Sequence, residues 1–175
     1  MTKVSKSKVI WITGLSGSGK TTIGREVYSK LTDIYPNTVL LDGDSFREVI
    51  GSDLGYDLKD RLENAKRLSR MCVFLVSQNI NVVCCTVSLY EEIHIFNRKE
   101  IRNYIEVFID CEINELIKRD QKYLYSRAIS GELDNVVGVN LPFDRPRLSD
   151  LVIDNNEKVN VDEKAQHILD LVFSK

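Results

Sequence analysis

Short apolar runs alternate with longer amphipathic stretches along this chain. Val9–Thr13, Thr38–Leu41, Val82–Val87, Ile105–Asp110 and Leu151–Ile153 read as strands. The first is almost wholly apolar, as expected of a strand covered on both faces. Helices are predicted from Gly19 to about Leu31 and over Leu58–Asn79, Glu91–Asn103, Ile113–Arg119 and Val161–Phe173. Leu62, Ala65, Leu68, Cys72 and Leu75 recur at helical spacing in the long one, as do Ala165, Ile168, Leu169 and Val172 in the last. The alternation predicts an α/β fold: a three-layer sandwich around a five-stranded, mostly parallel sheet. Asp120–Ser149 breaks the pattern. It is polar, contains Gly131, Gly138, Pro142 and Pro146, and shows no long period. A stretch of this length without its own core element is expected to be a functional loop or lid.

The pattern fills 175 residues, which suits one domain with a sizeable core. No apolar run approaches the roughly 18–20 residues of a membrane span. Met1–Lys8 is polar and basic, and glycines interrupt the apolar stretch after it, so no signal peptide is expected. Lys and Arg total 24 against 26 Asp and Glu, a formal net charge of −2. This balance argues against a broad nucleic-acid surface but leaves room for a pocket focused on a small anion. Cys72, Cys84, Cys85 and Cys111 have no metal-site spacing, and three of them sit in or beside strand-like runs where a free Cys acts as a small buried hydrophobe, pointing to a reduced, cytoplasmic protein. His94 and His167, the only histidines, lie outside any motif and are expected on helix surfaces.

Gly14-Leu15-Ser16-Gly17-Ser18-Gly19-Lys20-Thr21 fits the phosphate-binding pattern GxxxxGK[ST], and Thr22 follows it. It comes after a predicted strand and opens a predicted helix, as such a loop requires. Glycines let the backbone N–H groups turn inward toward phosphate oxygens, and the helix N-terminus adds partial positive charge. Lys20 would reach the β- and γ-phosphates of ATP, and Thr21 would offer its hydroxyl to Mg²⁺.

Asp42-Gly43-Asp44 lies at the carboxyl end of the second strand, where ligands of open α/β sheets collect. Asp44 could take a proton from an attacking hydroxyl or help hold Mg²⁺, with Asp42 supporting either task; a polar turn with a helix cap is the alternative. Arg47 follows on the next helix. Arg61 and Asn64 share a face of the long helix. An arginine pair suits an anionic ligand, although Asp57 or Glu63 could equally be the partner of Arg61.

At these residues the sequence resembles the adenylylsulfate (APS) kinase family, over roughly Val9 to Asp154. The likeness is carried by IWITGLSGSGKTT, LDGDSFR, LGYDLKDRLEN, RDQKYLYSRAISGEL and VGVNLPFDRP. The resemblance implies one P-loop kinase domain over residues 1–175 with a lid at about 120–149, a soluble homodimer, and transfer of the γ-phosphoryl of ATP to the 3′-hydroxyl of adenylyl sulfate. It implies that Asp44 is the base and, with Thr21 and Asp42, organises Mg²⁺. Arg47, Arg61 and Asn64 would hold the acceptor's charged group and ribose. Tyr56 stands where the family usually has a Phe that stacks on the acceptor base, and Ser88 matches a serine at the end of the third strand. Arg119, Asp120, Lys122 and Arg127 fall in a lid over ATP, whose closure would exclude water. Tyr123 and Tyr125 lie there too, as nucleotide contacts or as packing.

The chain departs from the family at the base pocket. It reads Val136-Val137-Gly138-Val139 where the family reads FTGI, so Val136 replaces the second aromatic of the base sandwich. Asn140 replaces an acidic residue, and Leu89 a proline. Losing a stacking face weakens base binding by roughly 1–3 kcal/mol. Two acceptors are therefore expected: adenylyl sulfate first, and cytidine diphosphoramidate, used in capsule phosphoramidate biosynthesis, as the alternative. A nucleotide-binding module without turnover is disfavoured by Asp44 standing with Lys20 and Thr21.

Overall fold

The computed structural model describes residues 7–50 and 53–175; the first six residues of the basic N-terminal stretch lie outside them. The chain runs β1 (Val9–Thr13), α1 (Lys20–Ile34), β2 (Thr38–Asp42), α2 (Gly43–Ile50), α3 (Leu58–Ser77), β3 (Asn81–Thr86), α4 (Glu91–Glu100), β4 (Tyr104–Asp110), α5 (Ile113–Arg119), α6 (Leu124–Ile129), β5 (Leu151–Asp154) and α7 (Val161–Ser174). The strands form one sheet in the order β2-β3-β1-β4-β5, every neighbouring pair parallel.

Alternation along the strands divides the core. Ile10, Ile12, Val83, Cys85, Val107 and Ile109 face α1 and α7, where Ile23, Val27, Ile168 and Val172 meet them. Val9, Trp11, Val82, Cys84 and Tyr104 face α3 and α4, against Leu68, Cys72 and Ile93. Cys84 and Cys85 are strand core as expected, while Cys72 lies on α3 and Cys111 just past β4; all four are free and buried. Gly24 lets α1 lie close to the sheet, since a β-carbon there would stand 2.1 Å from Cys85 Sγ.

Asp120–Ser149 is not the coreless loop the sequence suggests. A 3₁₀ turn at Gln121–Tyr123 and helix α6 fold within it. Asp120 Oδ1 accepts from the Tyr125 and Ser126 amides and starts that helix. Tyr125, Ala128, Val136 and Val137 then pack with Leu15, Leu89, Phe108 and Leu116 into a third apolar cluster over the carboxyl end of the sheet. Tyr125 is therefore packing, while Tyr123 is exposed.

His94 also corrects the expectation: it is 7% exposed, not on the surface. Its Nδ1 lies 2.8 Å from Glu106 Oε2, a carboxylate buried on β4. Tyr104 and Ser149 donate hydroxyl hydrogen bonds to the same carboxylate, and Arg98 stands 3.4 Å away. Burial works to raise the Glu106 pKa, but His94, Arg98 and Ser149 prevail and hold it below the usual value. His167, by contrast, is exposed as expected.

Candidate active site

Parallel strands end at one edge of the sheet, and the conspicuous motifs converge there. The loop after β1 and the end of β2 flank β3. Thr21 Oγ1 donates to Asp42 Oδ2 at 2.9 Å and bridges that gap. The other Asp42 oxygen accepts from the Asp44 and Ser45 amides at 3.1 and 3.3 Å, which caps α2. One carboxylate thereby fixes both the threonine and the turn that carries Asp44.

Gly19 precedes α1 at φ 102°, and a β-carbon there would fall 2.3 Å from Asn155 Nδ2; only glycine suits this position. Lys20 is buried, and its ammonium donates to Leu15 O at 2.8 Å. Burial lowers its pKa to about 8, against the upward pull of Cys85, Asp44 and Asp42. Ser18 is also buried, its hydroxyl oxygen without a partner among the described residues. A lysine held by one carbonyl and an unpartnered hydroxyl are the groups a triphosphate would engage.

Arg47 and Arg61 meet around Tyr56, their guanidinium carbons 4.6 and 5.3 Å from the ring centre. Arg47 donates to Leu54 O at 3.1 Å and also to Gly55 O. Arg61 donates to Tyr56 O at 2.8 Å and Asn135 O at 2.7 Å, tying α3 to the loop before Val136. Burial lowers the Arg61 pKa, and Arg47 lowers it further, while Tyr90, Tyr56 and Asp44 oppose. Neither arginine is the simple partner of Asp57 or Glu63. Asp57 instead caps α3 through the Asp60 amide, and Glu63 pairs with Arg67. Asn64 is buried one turn beyond Arg61. Ser88 is buried past β3, its hydroxyl 2.9 Å from that of Thr86.

The remaining expectations divide. Val136 is only 3% exposed and belongs to the third apolar cluster, whereas the Tyr56 residue is 58% exposed. Asn140 closes the loop around it, accepting from the Val136 amide at 2.6 Å and donating to Leu133 O at 2.9 Å. Arg119 is not a free lid arm: it donates to Gly17 O, Asn155 O and Asn156 O. Lys122 and Arg127 are exposed and are not drawn into the cluster; Arg127 stands 3.8 Å from Glu132. Thr22 is likewise exposed. Sequence reasoning did not single out Tyr90 and Asn155, which follow β3 and β5 to this edge; they stand at the ends of the VSLY and LVIDN stretches, and that was the available signal.

Thr21, Asp42 and Asp44 offer hydroxyl and carboxylate oxygens, the hard donors Mg²⁺ takes, and Thr21 and Asp42 are in contact. Among the described residues no group of three or more His, Cys, Asp or Glu forms a metal cage. No helix among them is long and apolar enough to cross a membrane.

A phosphate-type loop at the edge of a parallel sheet, facing carboxylates and arginines, defines a P-loop kinase. The adenylylsulphate kinase family profile matches residues 6–154, and the chain belongs to that family. A cytidine diphosphoramidate kinase of Campylobacter jejuni is 46% identical over 161 residues, covering 92% of this chain and 94% of its own. An adenylyl-sulfate kinase of Bacillus pumilus is 35% identical, with 97% and 87% covered. The Mycobacterium tuberculosis APS kinase CysC, solved with AMPPNP and APS, superposes with a TM-score of 0.88 at 33% identity, covering 97% of this chain and 98% of that one. The protein is a nucleotide kinase by family and fold.

Proposed function

We propose that the protein transfers the γ-phosphoryl of ATP to the 3′-hydroxyl of a nucleotide, and that the acceptor is cytidine diphosphoramidate. The observation that carries the choice is Val136. Its side chain is turned into the apolar cluster, and Asn140 locks that loop, so no aromatic wall stands opposite Tyr56. A pyrimidine offers less ring to stack than a purine and loses less by this. The 46% identical relative named for that acceptor supports the same reading. Adenylyl sulfate is the second reading, favoured by the family profile and by the M. tuberculosis structure solved with APS.

In this reading Lys20 and the N–H groups from Gly14 to Thr22 bind the triphosphate. Thr21, Asp42 and Asp44 would hold Mg²⁺, which neutralises phosphate charge when bound. Asp44 accepts the proton of the 3′-hydroxyl. Arg47, Arg61, Asn64 and Ser88 orient the acceptor, with Tyr56 beside its base. The chain's contribution is alignment and charge stabilisation of the transferring group. Calorimetric titration with each acceptor, on the wild type and on Tyr56→Ala, tests the pocket. The cytidine compound should bind more tightly, and the variant should weaken it about tenfold or more. Equal binding to the variant would remove Tyr56 from the acceptor site.

A further inference from the structure

Successive carbonyl oxygens of the phosphate-type loop are engaged one after another. Leu15 O accepts from Lys20 at 2.8 Å and Ser16 O from the Tyr125 hydroxyl at 2.7 Å. Gly17 O accepts from Arg119 at 3.3 Å and Ser18 O from Asn155 Nδ2 at 2.6 Å. The donors come from α1, α6, α5 and the turn after β5. Asn155 is itself held: Lys164 on α7 donates to its Oδ1 at 2.7 Å, which dictates which end of the amide faces the loop. Its backbone amide donates to Asp110 O at 2.8 Å, fixing it to β4.

In a trans peptide the N–H points opposite the C=O of the same unit. A donor that pins Ser16 O outward therefore turns the Gly17 N–H inward, and one that pins Ser18 O does the same for Gly19. Orienting these groups before a ligand arrives removes part of the ordering cost of binding. Tyr125 is suited to the task. Its ring is wholly buried, and burial pushes its phenol far above the usual range, so it stays a donor at any working pH.

We propose that Tyr125, Asn155 and Lys164 are positioning residues that preset the loop for the triphosphate of ATP. All three lie outside the motif that announces the loop, and Tyr125 lies within the lid segment. The proposal rests on the loop being the ATP site. It also makes the lid helix α6 part of the standing architecture of that site.

The test compares wild type, Tyr125→Phe and Lys164→Met. Phe keeps the buried ring and removes one hydrogen bond; Met keeps the length of Lys164 and frees the Asn155 amide. Affinity for Mg·AMPPNP is measured by calorimetry, together with the KM for ATP and for the acceptor. Tyr125→Phe should weaken AMPPNP about three- to tenfold, and Lys164→Met about two- to fivefold. Both should raise the KM for ATP in step and leave the acceptor's KM unchanged. Unchanged AMPPNP affinity in both variants would overturn the proposal, as would an equal loss toward the acceptor. A wild-type protein that fails to bind Mg·AMPPNP would instead overturn the reading of the loop itself.

Discussion

Glu106 is the most heavily engaged carboxylate in the interior, and Glu106→Gln tests whether its cluster holds α4 to the sheet. The residue is 1% exposed and sits among His94, Tyr104, Ser149 and Arg98. Glutamine keeps the shape but withdraws the charge that Arg98 faces, and turns an NH₂ toward groups that donate. Removing one partner of a buried ion pair costs about 3–5 kcal/mol. With a urea slope of about 2–3 kcal/mol/M, the unfolding midpoint should fall by about 1–2 M. The pH dependence has a definite sign. The folded pKa of Glu106 lies below its unfolded value, so its stabilisation is present above the unfolded pKa and is lost as pH falls through the folded one. The gap between wild type and variant should therefore close below about pH 4. A midpoint within about 0.3 M of wild type at pH 7, a change of under about 1 kcal/mol at that slope, would refute the reasoning.

Lys20→Ala should abolish transfer while leaving the urea midpoint near wild type, and near-normal turnover would remove Lys20 from the reaction. With the free lysine titrating at about 8, its ammonium is lost above that pH. Affinity for Mg·AMPPNP should then fall about tenfold between pH 7.5 and 9; a flat profile would contradict that role. Asp44→Asn should slow single-turnover transfer by about 10²–10⁴-fold with ATP binding retained; an unchanged rate would dismiss it as the base. Gly24→Ala should cost about 1–3 kcal/mol through collision with Cys85, and Cys85→Ala in the same chain should recover most of it in urea unfolding. No recovery would mean the collision is not the cause.

The sheet was legible because its central strands are covered on both faces and read as continuous apolar runs. The glycine loop and the carboxylate turn were legible because their chemistry is local in the sequence. Contacts between distant segments were not. His94 reads as a polar helix position until β4 brings Glu106 against it; the one signal was a glutamate inside the apolar run YIEVFID. Helix α6 was hidden because it is only six residues long and the segment's glycines and prolines mask its short Leu124–Ala128 period. Arg119 was read as a lid arm because the backbone oxygens that fix it come from Gly17, Asn155 and Asn156, far away in sequence. Val136 shows the reverse case. Its identity flagged an altered pocket, but only the fold shows that the side chain has joined the apolar cluster.

Turnover with the two acceptors tests the central claim most directly. The protein is incubated with Mg·ATP and either cytidine diphosphoramidate or adenylyl sulfate, and kcat/KM is taken from ADP release, with the position of the new phosphate read from the product. The account predicts a 3′-phosphorylated product and a kcat/KM at least about tenfold higher for the cytidine compound, the stacking loss at Val136 being worth about 1.4 kcal/mol or more against adenine. Equal or greater efficiency with adenylyl sulfate would contradict it.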